Sequence, residues 1–368
     1  MRKKWFLLIL VLTFSIVFSF GVFAAEVEDI PDITIPDEIT KYMPDGLSEI
    51  SSENFSSFFT VNSAFETLGK IFSDVFPEAM SAFFMLLGLV IISAVIGALK
   101  DSVVSDSLSY VLSFVSILVL ASASFMFIKI LFVNLSNFLG EVNSFMLVVI
   151  PSMSALMAAE GGIGSSLVFG TILAAVVSVL EIICTSVLFP MISALLLISV
   201  TSNVCGEVDI SGFSKLLKNI ITYILSAVML VLTCVLTFQS IIAKSADTAA
   251  VKGVKFVLGN AIPIVGGALS DAVTTVAGSL GVVKSTTGVI SAIVLCIMLV
   301  LPCVKLIVWK LMFSALSAIS SAFSLKKEGA FFSDMGEIVG FIIAIVASIG
   351  VFFIVAITAV SFPGGGGK

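Results

Sequence analysis

No histidine occurs in this sequence, and only 11% of its 368 residues are Asp, Glu, Lys or Arg. The first absence removes the side chain that most often serves as a general base and is the commonest metal ligand. The second removes the charged surface of a soluble domain, in which about a quarter of residues are charged. Cysteine is scarce as well. The five cysteines, at 184, 205, 234, 296 and 303, lie in or beside apolar runs and have neither the spacing of a zinc site nor the density of a disulfide framework. They read as small core residues. Also missing are a G-x-x-x-x-G-K-[ST] phosphate loop and a nucleophile elbow. The chain is therefore not expected to be an enzyme, no cofactor or metal is implied, and any energy must come from a partner.

What the chain has in excess is apolar surface. Hydrophobic residues make up 59% and mean hydropathy is +1.24. A membrane-spanning helix needs about 20 apolar residues, and 79–99, 108–128, 219–243, 288–309 and 337–360 meet that length. Residues 165–203 form nearly twice such a run, interrupted by Glu181 and Pro190. Two coupled spans or one span with a broken partner both fit, with a bend expected near 186–190. Residues 143–159 carry Pro151 in their middle and read as a marginal span or a re-entrant piece. The expected fold is all-α: a polytopic helical membrane protein with six to eight spans plus amphipathic or re-entrant helices.

Ahead of the spans stand Arg2, Lys3 and Lys4, an apolar stretch from Trp5 to Phe23, then Ala24 and Ala25. That pattern makes 1–25 a signal peptide or an N-terminal anchor. Residues 26–78 hold twelve acidic side chains against Lys41 and Lys70, and read as an acidic exported arm whose charge run describes a solvated segment. A multispanning domain over 79–360 and a flexible tail over 361–368 complete the division. The loop 100–107 is placed inside, and Lys244, Lys252, Lys255 and Lys284 place 244–287 on the cytoplasmic side.

Lipid gives helices no hydrophobic reason to associate, so small residues that let backbones approach mark contact faces. Gly170, Ala174 and Ser178 recur at four-residue spacing, and Glu181 continues that stripe. Glu181 is thus expected to face protein, either as a functional carboxyl or as a hydrogen-bonded group near a helix break. Gly340, Ala344 and Ala347 form a second, packing stripe. Residues 245–257 read as an interfacial helix, followed by Gly259, Pro263, Gly266 and Gly267, which are expected to interrupt it. A second amphipathic helix then begins at Ser270 or Asp271, with Asp271, Thr274, Thr275 and Gly278 on its polar side. Such a hairpin is either re-entrant, its polar stripe facing a water path, or a docking platform on the membrane surface. A similar pattern, expected at an interface, occupies 310–325, with Met312, Leu316, Ile319 and Phe323 opposite Ser314, Ser317, Ser321 and Ser324.

The order of these features, "PSMSALMAAEGGIGSS" at 151–166 and above all "KFVLGNAIPIVGGALSDAVTTVAGS" at 255–279 resemble the stage III sporulation protein AE family of endospore-forming bacteria. The likeness runs from about residue 75 to 360. It implies a multispanning subunit of the channel-like complex between mother cell and forespore, placed in the mother-cell membrane around the forespore. Its implied partners are a secretion-type ATPase and ring-forming subunits, with no nucleic acid. No catalytic residues accompany the resemblance. The alternatives are a self-sufficient secondary transporter or a purely structural membrane scaffold.

Overall fold

The structure is a computed structural model that describes residues 61–103, 106–159, 163–204, 211–261 and 266–361; for 238–261, 266–286 and some helix ends it describes the backbone alone. The segments 1–60 and 362–368 lie outside the described residues, and with them the signal or anchor, most of the acidic arm and the tail.

Among the described residues all regular structure is helical. In hydrocarbon a backbone N–H or C=O has no water to bond, so a chain this apolar satisfies its peptide groups within helices. The helices are α1 (Val61–Val103), α2 (Asp106–Ala159), α3 (Ile163–Ile183), α4 (Phe189–Val204), α5 (Ser211–Ala261), α6 (Gly266–Ala322) and α7 (Lys326–Ser361). A π-turn, Cys184–Leu188, joins α3 to α4 without a loop. Counted with that join, six helical stretches among the described residues are long and apolar enough to cross a membrane.

Several sequence expectations change here. Residues 143–159 are not a separate re-entrant piece, because α2 runs unbroken for 54 residues with Pro151 inside it. At 1.5 Å per residue that is about 80 Å, more than twice the hydrocarbon thickness. The 165–203 region is one continuous helical stretch whose irregularity, the π-turn, falls at the expected bend. Residues 310–322 are the last turns of α6, not a separate interfacial helix. The charge-based boundary at residue 78 falls within α1, which passes through Pro77.

The core is built on the α6–α7 hairpin. Its turn is closed by Leu325 N donating to Ser320 O at 2.9 Å and Ser324 N donating to Ser321 O at 3.0 Å, with Ser324 at φ 61°. This pair of bonds around a left-handed residue is the Schellman ending, here with serine where glycine is usual. Beyond the turn the helices run antiparallel. Ser317 Oγ donates to Gly329 O at 2.7 Å, a Cβ on Gly340 would lie 2.8 Å from Lys310 Nζ, and one on Gly350 would strike the Leu299 side chain. Ile338, Val339, Ile342, Ile345 and Val346 on α7 are completely buried. Trp309, also fully buried, packs its ring on Phe127 of α2 and Phe313.

The other helices are placed by point contacts. α1 lies parallel to α6, with Glu78 against Lys305 at one level and Gly97 against Leu325 about five turns on. α2 runs antiparallel to the α3–α4 stretch: Ser154 meets Gly170, Asn143 meets Glu181, and Phe132 meets Phe189 with ring centroids 5.8 Å apart. The described side chains of α5, residues 212–237, are the least embedded: Tyr223, Leu230 and Phe213 are all exposed.

Candidate functional site: polar clusters within an apolar bundle

A polar side chain inside an apolar bundle is costly unless paired, so its partners indicate its role. Two clusters stand out. In the first, Asp334 of α7 accepts bonds from Ser199 Oγ at 2.8 Å and Asn203 Nδ2 at 3.4 Å, both from α4. Its other oxygen accepts from Lys218 Nζ of α5 at 3.1 Å, and the same ammonium pairs with Glu337 at 2.6 Å. One carboxylate thus ties three helices together with both oxygens and the lysine engaged. A neighbouring tie, Ser93 Oγ to the buried Glu328 at 3.0 Å, fastens α1 to the start of α7.

The second cluster encloses space. A recess of about 300 Å³ opens between α1, α2 and α6, lined by Asp74, Glu78, Asn134, Asn137, Glu141 and Lys305 together with Val75, Phe138, Met298, Leu301 and Pro302. Lys305 Nζ pairs with Glu78 at 3.0 Å. Asn134 Nδ2 is buried with no partner. Because Pro302 has no N–H, the carbonyl of Met298 one turn back lacks its helical donor, and both residues line the recess. Three carboxylates, one ammonium, two amides and a spare carbonyl give the recess partners for water or a small polar solute. Among the described residues no three His, Cys, Asp or Glu converge as metal ligands.

Sequence reasoning missed this recess. Its residues are spread over more than 200 positions, and each polar side chain, taken alone, looks like one concession in a long apolar helix. The available signals were the density of Asn134, Asn137, Glu141 and Asn143 within α2 and a lysine one turn after Pro302.

Glu181 is the sequence candidate whose side chain the structure describes. Its carboxylate accepts a bond from Asn143 Nδ2 at 2.8 Å, so it does meet a neighbouring helix. Yet Ala174, Ser178 and Glu181 are exposed, and of the stripe Gly170 alone packs closely, where an added Cβ would lie 2.8 Å from Ser154 Oγ. The face of α3 that the chain buries is Phe169, Leu173, Val176, Val177 and Leu180. Within the chain, large residues, which fill more of the space between helices, take the inner face of α3.

Among the other candidates, Gly259 lies within α5, which continues to Ala261. Gly266 and Gly267 open α6, and Asp271, Thr274 and Thr275 follow on its backbone, so the helix starts before the expected Ser270–Asp271 point. Any interruption is confined to 262–265. Pro263 lies outside the described residues, as do the side chains of Asp271, Thr274 and Thr275.

A bundle with six membrane-length helical stretches among the described residues, tied by partly exposed ion pairs and holding a polar recess, defines an integral membrane protein of the polytopic helical class. The family described as stage III sporulation protein AE matches residues 45–364, and the chain belongs to that family. A curated relative, the stage III sporulation protein AE of Bacillus subtilis (strain 168), is 24% identical over 249 residues. That match covers 66% of this chain and 61% of the relative, somewhat less than two thirds of its length. No solved structure matches the chain.

Proposed function

We propose that this protein is the multispanning subunit of a channel-like, secretion-type complex that joins mother cell and forespore during endospore formation. It would sit in the mother-cell membrane around the forespore beside an ATPase and ring-forming subunits. The observation that carries this reading is family membership over nearly the whole apolar chain. The absence of histidine and of a nucleotide loop from the sequence supports a non-enzymatic role driven by a partner.

The recess favours a second reading. Secondary transporters bind solutes with charges at mid-membrane, and Glu78, Glu141 and Lys305 supply charges where the sequence pointed to Glu181 alone. Purification of the affinity-tagged protein from sporulating cells separates the two. Recovery with an ATPase and ring-forming subunits is the expected result. Recovery alone, with solute flux in liposomes, would overturn it in favour of the transporter.

A further inference from the structure

The recess coincides with defects in three separate helical stretches. Pro302 lines it on α6, one turn from Lys305. Pro77 of α1 immediately precedes Glu78, which bonds that same lysine. On the far side of α2, Phe132 packs on Phe189 and Asn143 bonds Glu181, so the recess residues Asn134, Asn137, Phe138 and Glu141 lie opposite 182–188, which contains the π-turn. Each defect removes or displaces a helical hydrogen bond. Pro302 orphans the Met298 carbonyl, Pro77 orphans that of Ser73, and in the π-turn Phe189 N–H donates to Cys184 O, five residues back. Prolines and π-turns are where helices bend. The third interior proline, Pro151, stands well away, near the Ser154–Gly170 contact. α7 crosses this level between Gly340, against Lys310, and Gly350, against Leu299, with no proline in its span.

We propose that this layer is a flexural joint: the parts of α1, α3–α4 and α6 on its two sides tilt about α7 as a spine, and the unbroken α2 curves with them, changing the width of the recess, with Glu78–Lys305 as the latch of the narrow arrangement. Three weakened helices at one level beside a cavity give the least resistance to bending, because the missing hydrogen bonds and the missing side-chain contacts fall together. The recess is the space into which the bend proceeds. The latch is weak enough to open, since its two side chains are 22% and 45% exposed and an exposed pair contributes about 1 kcal/mol or less.

The test is pulsed electron–electron resonance on the full chain in nanodiscs, with spin labels on genetically encoded non-natural residues so that the native cysteines stay in place. Val95 and Leu147, both exposed, straddle the layer, while Val95 and Phe125 lie on one side of it. The Val95–Leu147 distance should be broad or bimodal, should shift further in Glu78→Gln and should narrow in Pro302→Ala and Pro77→Ala. The Val95–Phe125 distance should not change. Pro77→Ala stands in if Pro302→Ala does not accumulate. A single narrow Val95–Leu147 distance, unmoved by these substitutions, would overturn the joint.

Discussion

The two polar clusters differ in completeness. Around Asp334, both carboxylate oxygens and the Lys218 ammonium have protein partners from three helices. Around Lys305, which pairs with Glu78, an amide of Asn134 has no partner and a cavity stands open. A satisfied network holds one arrangement, because every alternative leaves a partly desolvated charge and the buried Ser199 hydroxyl without a partner. An unsatisfied one tolerates change, since little is lost when its members move. The first cluster therefore reads as a clamp and the second as the candidate functional site.

Asp334→Leu tests the clamp and should have the largest effect. It leaves Lys218 with Glu337 alone and orphans the Ser199 hydroxyl, so we expect about 2–3 kcal/mol of destabilisation. Thermal unfolding in detergent measures it; wild-type stability would erase the contrast between the clusters. Lys305→Met should cost about 1 kcal/mol or less by removing the partner of Glu78, with most of that regained in the Glu78→Gln, Lys305→Met double variant. Counts of heat-resistant spores should nonetheless stay low in the double variant, and normal counts would remove the recess from function.

Asn134→Leu removes a buried donor without a partner, and we expect it to be neutral or to stabilise by about 1 kcal/mol. The same spore count should fall, the opposite pattern to a clamp residue; a clear loss of stability would mean that the amide is held after all. Ser324→Gly provides a reference outside both clusters. It relieves a left-handed serine and should raise stability by about 1 kcal/mol, seen as a higher Tm. The smallest effect is expected for Glu181→Gln. An amide can still accept from Asn143, so the change should be about 0.5 kcal/mol or less in the same unfolding measurement, and a larger loss would show that the charge itself matters.

Glu181 shows where sequence periodicity helps and where it stops. Spacing correctly set Gly170, Ala174, Ser178 and Glu181 on one face of α3, because 3.6 residues per turn is a property of the backbone alone. It could not tell which face turns inward. The structure packs Phe169, Leu173 and Leu180 there and leaves three of the four exposed. The serines of 310–325 teach the same lesson. Their stripe was legible, but Ser317 serves the α7 backbone at Gly329, and the fully buried Ser320 accepts the turn bond from Leu325 through its carbonyl.

The sequence by itself determined that the protein is helical and embedded in a membrane, since composition and run length follow from transfer free energy and need no partner. It also placed the irregularity near Pro190, because proline acts on its own helix. Only the tertiary structure decided that α2 is one helix through Pro151, that Asp334 clamps three helices, and that Glu78, Asn134 and Lys305 share a recess. These depend on side chains far apart in the chain meeting at one level, and a pattern read along a single helix holds no information about the level at which another helix will lie against it.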